Sequence, residues 1–448
     1  MHKRSILILL AACLGLVSIH AQTTNTDSFF LTGSPTAYRY NPAIAPAGDF
    51  IGIGGIDISS RANVGATAFL YDYGKKTVTG LHDSVSSQTL LDKLQKNNYL
   101  LTDNTFNLFS YGFHRGQASH NVELNIRNRG GVNLPKDLFV LMKTGLQQTS
   151  FDFSDTRIHS DMYAELAYGY TRKMSDIVSV GFRTKLLVGL ASMDAVVKQL
   201  EIGMDDDIRM SFSSELDLTF RRRPKNNGTF LYPEYEKQPF RLPLVRGAGL
   251  AVDFGILIQP NPYLTLSLST IDLGFLCWAY TMGGQVSTSF SLNEFTDFEA
   301  DDMDAEDGLG LITGLMSDME ESATFVPKAK RFRVHGIPSG FNLGIKYAMP
   351  FYDRLSVGLT GHMTSFRTTR FWETRLGTSV NPLDWLDLNA NFGYGTYGMS
   401  WGFAASVRVH KFRLHVSMSD SFGGRIPRLS LHLKPWNSVI SAGLTFDL

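Results

Sequence analysis

Ser441-Ala-Gly-Leu-Thr-Phe-Asp-Leu448 closes the chain, and its two-residue beat reads as a β-strand running to the final residue. Ser441, Gly443, Phe446 and Leu448 fill a polar-x-Gly-x-x-apolar-x-apolar pattern, the form of the last strand of a barrel assembled in a Gram-negative outer membrane. The pattern has a physical reason. In hydrocarbon an unpaired strand edge leaves backbone amides and carbonyls without partners, so the last strand must pair with the first. Strands ending in Phe-x-Leu also occur in soluble proteins, so this ending gains its weight from the rest of the chain.

The other end carries an export signal. Lys3 and Arg4 precede an apolar run from Ile6 to Val17, and Ser18-Ile19-His20-Ala21 gives way to polar residues from Gln22. The run is too short to anchor in a bilayer and reads as a signal peptide over 1–21, cut after Ala21. Leu10-Ala11-Ala12-Cys13 also fits a lipobox, in which Cys13 is acylated, although Leu14 to Val17 stay apolar where a lipoprotein normally turns polar. After cleavage only Cys277 remains, which excludes an internal disulfide. Losing Lys3 and Arg4 from 42 basic residues leaves 40 against 42 acidic ones, a formal charge of −2. Such a balance carries no footprint for a nucleic-acid partner.

No other apolar run has the length of a membrane helix, and the mean hydropathy is near neutral. A barrel reconciles export with blandness, because its strands show apolar residues to lipid and polar ones to the lumen. The clearest case is Ile208 to Phe220, where Ile208, Met210, Phe212, Leu216, Leu218 and Phe220 alternate with Arg209, Ser211, Ser213, Glu215, Asp217 and Thr219. The same beat predicts strands over 178–190, 248–258, 264–268, 341–349, 355–363, 372–380, 386–394, 401–409, 412–418, 429–433 and 440–448. Weaker alternation adds 50–58, 64–70, 106–113, 122–126 and 162–170.

Gln259-Pro-Asn-Pro-Tyr263, Met349-Pro-Phe-Tyr-Asp353, Asn381-Pro-Leu-Asp-Trp385 and Lys434-Pro-Trp436 read as tight turns at a membrane interface. The five tryptophans, at 278, 372, 385, 401 and 436, fall near predicted strand ends, where an amphipathic ring prefers the headgroup level. One conflict follows from this strand order. A periplasmic C-terminus puts the turn at Lys434-Pro-Trp436 outside, so either a strand is miscounted or the outer loops are short.

Three inserts interrupt the meander. Leu134 to Gln147 has the spacing of a short amphipathic helix, and Arg221 to Arg246 reads as a loop. Glu294 to Glu321 carries 11 acids and no base, with a helix predicted around Leu309 to Met319. Its carboxylates at Asp301, Asp302, Asp304, Glu306 and Asp307 are calcium-type ligands, but Gly308 is out of step with a helix-loop-helix calcium site, and a solvated acidic loop is the simpler reading.

Charges on the polar strand faces are the candidate functional residues: Arg183 with Lys185, Arg209, Glu215 with Asp217, and Glu373 with Arg375. They point into the lumen if the apolar face meets lipid, either lining a solute path or filling the lumen with ion pairs. His415 with Ser417, and Ser430 with His432, share strand faces, but no orienting group or oxyanion donor accompanies them. No catalytic, cofactor or metal assignment follows.

Ser28-Phe-Phe-Leu-Thr-Gly33 and Tyr38-Arg-Tyr-Asn-Pro-Ala-Ile-Ala45 resemble the mature N-terminus of a bacterial exported family catalogued as domain of unknown function 5723. Gly249 to Gly255, Ile271 to Trp278 and Ile337 to Tyr347 look like its further landmarks. Asn41-Pro42-Ala43 is also similar to the long-chain fatty-acid porin family, with Ile44 where that family usually has glycine. The resemblance implies a porin-like outer-membrane barrel whose N-terminal segment, with Asn41, Pro42 and Ala43, lies in the lumen as a plug.

The expectation is an all-β, antiparallel transmembrane barrel of about 14 to 18 strands. It divides into a signal over 1–21, a plug-like segment over 22–48 and a barrel over 49–448. Its partners are outer-membrane lipid and either a small, apolar solute or an envelope protein. No cofactor is implied, and an enzyme is not expected.

Overall fold

A computed structural model describes residues 26–31, 34–73, 76–80, 82–144, 151–153, 155–204, 208–219, 246–291, 324–366, 369–426 and 431–448. The signal, Cys13, the loop over 220–245, the acidic insert with its carboxylates and Ser430 lie outside the described residues. Among the described residues no helix is long and apolar enough to cross a membrane, and no group of His, Cys, Asp and Glu is arranged to hold a metal.

The strands are β1 (Phe50–Ala62), β2 (Leu70–Tyr73), β3 (Lys76–Thr79), β4 (Asn97–Arg115), β5 (Ala118–Pro135), β6 (Arg157–Lys173) and β7 (Val178–Met204). Then follow β8 (Ile208–Thr219), β9 (Gly247–Asn261), β10 (Leu264–Ser291), β11 (Thr324–Gly336), β12 (Ser339–Met349), β13 (Tyr352–Ser365) and β14 (Arg370–Leu383). The last are β15 (Leu386–Gly395), β16 (Gly398–Val409), β17 (Phe412–Ser421), β18 (Arg425–Ile426), β19 (Leu431–His432) and β20 (Trp436–Asp447). Among the described residues three short α-helices accompany them: α1 (Thr26–Phe30), α2 (Ser87–Leu91) and α3 (Lys136–Thr144).

Hydrogen-bonded neighbours run β1, β4, β5, β6, β7, β9, β10, β12, β13, β14, β15, β16, β17 and β20, and β20 pairs back onto β1. Fourteen antiparallel strands therefore close a barrel. The seam runs from Phe50 opposite Asp447 to Ala62 opposite Trp436, and the Leu448 N–H donates to the Asp49 carbonyl at 3.0 Å. Closure leaves no edge in lipid, as the final eight residues predict.

Two columns reach past the ring. β8 pairs with the far halves of β7 and β10, directly beyond β9, and β11 extends the column of β12 across the break at Ile337-Pro338. β11 has no counterpart in the sequence reading, because Lys328, Lys330, Arg331 and Arg333 blur its alternation.

The two ends of the barrel differ. At one, two-residue turns join β4 to β5, β9 to β10, β12 to β13, β14 to β15 and β16 to β17, and both Asp49 and Leu448 lie there. The opposite end carries the longer connections, including α2, α3 and the hairpin of β18 and β19. α3 occupies 136–144 of the helix predicted over 134–147, whose first two residues instead end β5.

Two predicted strands are corrected. Leu429–Leu433 is not a barrel strand, since β17 pairs directly with β20 and only Leu431–His432 pairs, locally, with β18. Removing it resolves the sidedness conflict: Lys434-Pro-Trp436 belongs to a long connection at the loop end, opposite the C-terminus. Val64–Leu70 is a 3-10 turn at Ala66–Ala68; Val64 and Phe69 pack on a cluster of Ala68, Leu90, Leu94 and Phe139, so their spacing reflects local packing and not a pleat.

The wall alternates as a barrel in lipid must. Along β7, Gly181, Arg183, Lys185 and Leu187 are buried while Phe182 and Leu186 are exposed; on β14, Arg375 and Ser379 are buried and Trp372 and Leu376 exposed. Each half-exposed apolar side chain gains on the order of 1 kcal/mol when lipid replaces water. Aromatic rings gather at both rims: Tyr263, Phe351, Tyr352, Trp385 and Phe412 at the turn end, and Trp372, Tyr394 and Phe422 at the loop end. This closed wall with its greasy exterior belongs in the outer membrane. Trp278 departs from the predicted belt. It is fully buried, and its Nε1–H donates to His335 Nε2 at 3.0 Å. Trp436 also turns away from lipid, donating to Ser60 Oγ at 2.8 Å and stacking on His432.

Candidate functional site

Residues 26–31 and 34–48 precede the first wall strand and bond to the barrel's inward face. The short helix α1 ends at Phe30, whose carbonyl accepts from Lys346 Nζ at 2.7 Å and Ser379 Oγ at 2.8 Å. A 3-10 turn over Ala37–Arg39 then projects Tyr38, Arg39 and Tyr40 in different directions. The Tyr40 hydroxyl donates to the Leu343 carbonyl at 2.6 Å, while its own carbonyl accepts from Ser269 Oγ and Asn342 Nδ2 at 2.6 and 2.8 Å.

Asn41, one of the three residues singled out from the sequence, is fully buried. Its Nδ2 donates toward Ser267 Oγ at 2.7 Å, the Ile256 carbonyl at 3.0 Å and the Leu268 carbonyl at 3.2 Å. Its Oδ1 accepts from the Ala43 N–H at 2.8 Å, folding the Asn-Pro-Ala stretch into a side-chain-closed turn. The Pro42 carbonyl accepts from Thr171 Oγ1 at 2.6 Å.

Glycines make room for these contacts. A Cβ on Gly181 would fall on the Pro42 carbonyl, and one on Gly255 would fall on the Asn41 side chain. Gly344 and Gly377 lie under Phe29 and Phe30, whose ring atoms would stand 2.7 and 2.9 Å from an added Cβ. Only a wall bare at these positions lets the segment approach so closely.

Arg39 joins the segment to a buried ion-pair network. Its guanidinium reaches Glu123 Oε1 at 2.7 Å and Asp57 at 3.4 Å, and the Tyr38 hydroxyl donates to the same Glu123 oxygen at 2.7 Å. Burial, with the Glu123 carboxylate beside it, pushes the Tyr38 phenol far above its usual range, so it stays protonated and donates. The other Glu123 oxygen pairs with Arg183, which reaches Asp253 at 3.4 Å. Lys185 bridges Asp253 at 2.7 Å and Asp272 at 2.5 Å. Asp272 also takes Arg127 at 3.0 Å and Arg129 at 2.5 Å, and these guanidiniums meet Glu165 and Asp103.

Asp272 is the hub, and a bulge aims it. The register between β9 and β10 slips between Thr270 and Leu273, and Asp272 adopts φ +58°, a left-handed conformation rare outside glycine. The slip reverses which side chains face inward, so Asp272 enters the network while its N–H donates to Asp253 at 2.7 Å. The conformation costs on the order of 1 kcal/mol, which three charge-assisted contacts offset.

The predicted pairs are placed as follows. Arg183 and Lys185 are buried, at 3% and 4% exposure, and share the Asp253 carboxylate of the neighbouring strand β9. Glu373 and Arg375 pair with each other at 2.9 Å, and Arg375 also donates to Asn391 at 2.7 Å. Arg209, Glu215 and Asp217 lie on β8 beyond the ring, where Glu215 stands opposite Gln285 and Asp217 opposite Gly283; their side chains lie outside the described set. Glu123, Arg127, Arg129, Asp253 and Asp272 were missed, though the first three follow the polar-face beat of β5.

Toward the loop end two apolar clusters stand among the inward polar groups. Tyr163, Leu187, Leu276, Trp278 and Ile337 form one cluster, and Tyr99, Leu101, Phe366, Phe371 and Tyr397 another, with Arg61 over the Phe371 ring at 4.2 Å. Asp420 and Ser438 both contact Nε2 of His432, at 2.8 and 3.2 Å, whereas a catalytic relay places its carboxylate on the opposite ring nitrogen. No hydrogen bond joins His415 to Ser417.

A family described as of unknown function, DUF5723, matches residues 42–419. No curated protein matches. Among solved structures, the Ralstonia pickettii toluene transporter TbuX is 9% identical, over 92% of this chain and 94% of that one, with a TM-score of 0.47. A Pseudomonas aeruginosa FadL homologue is 13% identical over 93% and 95%, with a TM-score of 0.44. The monoaromatic hydrocarbon channel CymD is 8% identical over 94% of each chain, with a TM-score of 0.49.

Proposed function

The chain belongs to the DUF5723 family, and we propose that within it this protein is a gated passage for small solutes, plugged at rest by residues 22–48. The seated N-terminal segment is the observation that carries the reading. Wall side chains alone fill an eight-stranded barrel, and a wider one leaves room for something else. Here the extra width takes a stretch of chain joined to the wall through Asp49 and otherwise held by hydrogen bonds, one ion-paired arginine and the buried rings of Phe29, Phe30 and Tyr40. Each such bond contributes about 1 kcal/mol net, because water replaces it on release. The two inward aromatic clusters would receive the apolar part of a solute before it meets the charged layer.

A second reading, a docking barrel in a cell-envelope secretion or surface-assembly complex, draws on one observation. β7 and β10 run 27 and 28 residues, well past the roughly 9–11 that a membrane strand needs. Conductance and liposome-swelling measurements on the purified barrel, with and without residues 22–48, separate the two. The gated passage requires flux that rises on deletion. An assembled, heat-modifiable barrel that passes nothing in either form would refute it.

A further inference from the structure

The connected ion pairs around Arg39 hold five cations against six carboxylates. Four of the cations are rooted in wall strands; Arg39 alone arrives on the N-terminal segment. Releasing the segment leaves four against six, and the loss falls on Glu123 and Asp57. Glu123 keeps Arg183, while Asp57 keeps the Ser441 hydroxyl at 2.5 Å.

The seated guanidinium shows what chemistry this place accepts. Two of its nitrogens reach one Glu123 oxygen at 2.7 Å and a third reaches Asp57 at 3.4 Å, the fork geometry that suits a planar cation. A second observation points the same way. His415 and Ser417, at 7% and 5% exposure, leave Nδ1 and Oγ without a hydrogen-bond partner. Ser417 stands opposite Ser441, the residue bonded to Asp57, and the His415 ring lies over Gly443, two residues further along the same strand. Both unpartnered atoms are able to accept from a cationic N–H.

We propose that Glu123 and Asp57, flanked by His415 and Ser417, form a subsite for the guanidinium or ammonium group of a small organic cation, with Arg39 as its built-in occupant at rest. The proposal rests on the gated-passage reading and names its substrate class. A solute cation and Arg39 cannot both occupy the subsite, so binding of one favours release of the other.

The test is chemical rescue in the full-length barrel purified in detergent. Arg39→Ala lowers the thermal midpoint, and millimolar guanidinium chloride recovers most of that loss, while sodium chloride of equal ionic strength does not. Adding Glu123→Gln abolishes the recovery, and wild type at the same concentrations stays unmoved. Arg39→Gln gives the same comparison if Arg39→Ala fails to assemble. Recovery that sodium matches, recovery that persists in the Glu123→Gln background, or no recovery in either Arg39 variant would overturn the subsite. The readout is binding, not flux. Rescue in a barrel that conducts nothing would remove the passage and leave the subsite, whereas conduction without rescue would do the reverse.

Discussion

Asn41→Ala tests how firmly the inner segment is seated. The Asn41 Nδ2 carries two hydrogens shared among three acceptors between 2.7 and 3.2 Å, and Oδ1 takes the Ala43 amide at 2.8 Å. Truncation therefore removes three hydrogen bonds, each worth about 1 kcal/mol net, and leaves buried partners unpaired. A loss of about 3 kcal/mol shifts the balance between seated and released segment by roughly a hundredfold. Hydrogen exchange read by mass spectrometry reports that balance directly, because amides that open by local release exchange in proportion to it. The Tyr40, Asn41 and Ile44 amides, which bond within the segment, should exchange roughly a hundredfold faster. Amides of β15 and β16 should stay unchanged. A change below about threefold over residues 38–48, or an equal acceleration in β15 and β16, would refute the reasoning. The first outcome means Asn41 is no anchor; the second means it supports the wall.

Gly255→Ala, which sets a methyl group against Asn41, should loosen the same amides and raise single-channel conductance while heat-modifiable migration stays normal. Asp272→Asn strips the shared charge from Arg127, Arg129 and Lys185 and should cost about 3–5 kcal/mol in urea unfolding from lipid vesicles. Asp272→Gly should prove about 1 kcal/mol more stable than Asp272→Ala, since only glycine relieves the left-handed backbone; equal stability would show that the φ of +58° stores no strain. Deleting Phe446 to Leu448 unpairs the seam at Phe50 and Ile51 and should cut the assembled fraction seen on semi-native gels.

Barrel strands were legible where inward and outward faces differ in chemistry. β14 through β17 announce themselves because Ser, Asn, Arg and Asp alternate with Phe, Leu and Trp, and the pleat enforces that beat. The misread stretches have other causes. Val64 to Leu70 alternates because two residues pack on a loop cluster, and Trp278 sits near a predicted strand end but is enclosed by Leu276, Leu187 and Tyr163. The ion-pair network was half legible. Arg183 and Lys185 stand out on a polar face, yet their partners come from β5, β9 and β10, and cross-strand register is not written in local spacing. Asp272 was hidden by its bulge, which inverts the parity on which such a reading depends.

The position of the seam has a consequence for how the molecule is built. Asp49 is both the root of the inner segment and the neighbour of Leu448, so β20 must find the strand that begins where the segment ends. The segment's partners lie on β1, β5, β6, β9, β10, β12 and β14, all made before β20 and spread around the ring. An incomplete sheet with both margins open can thus curl around this stretch as around a mandrel. Its diameter is then set before the two margins meet.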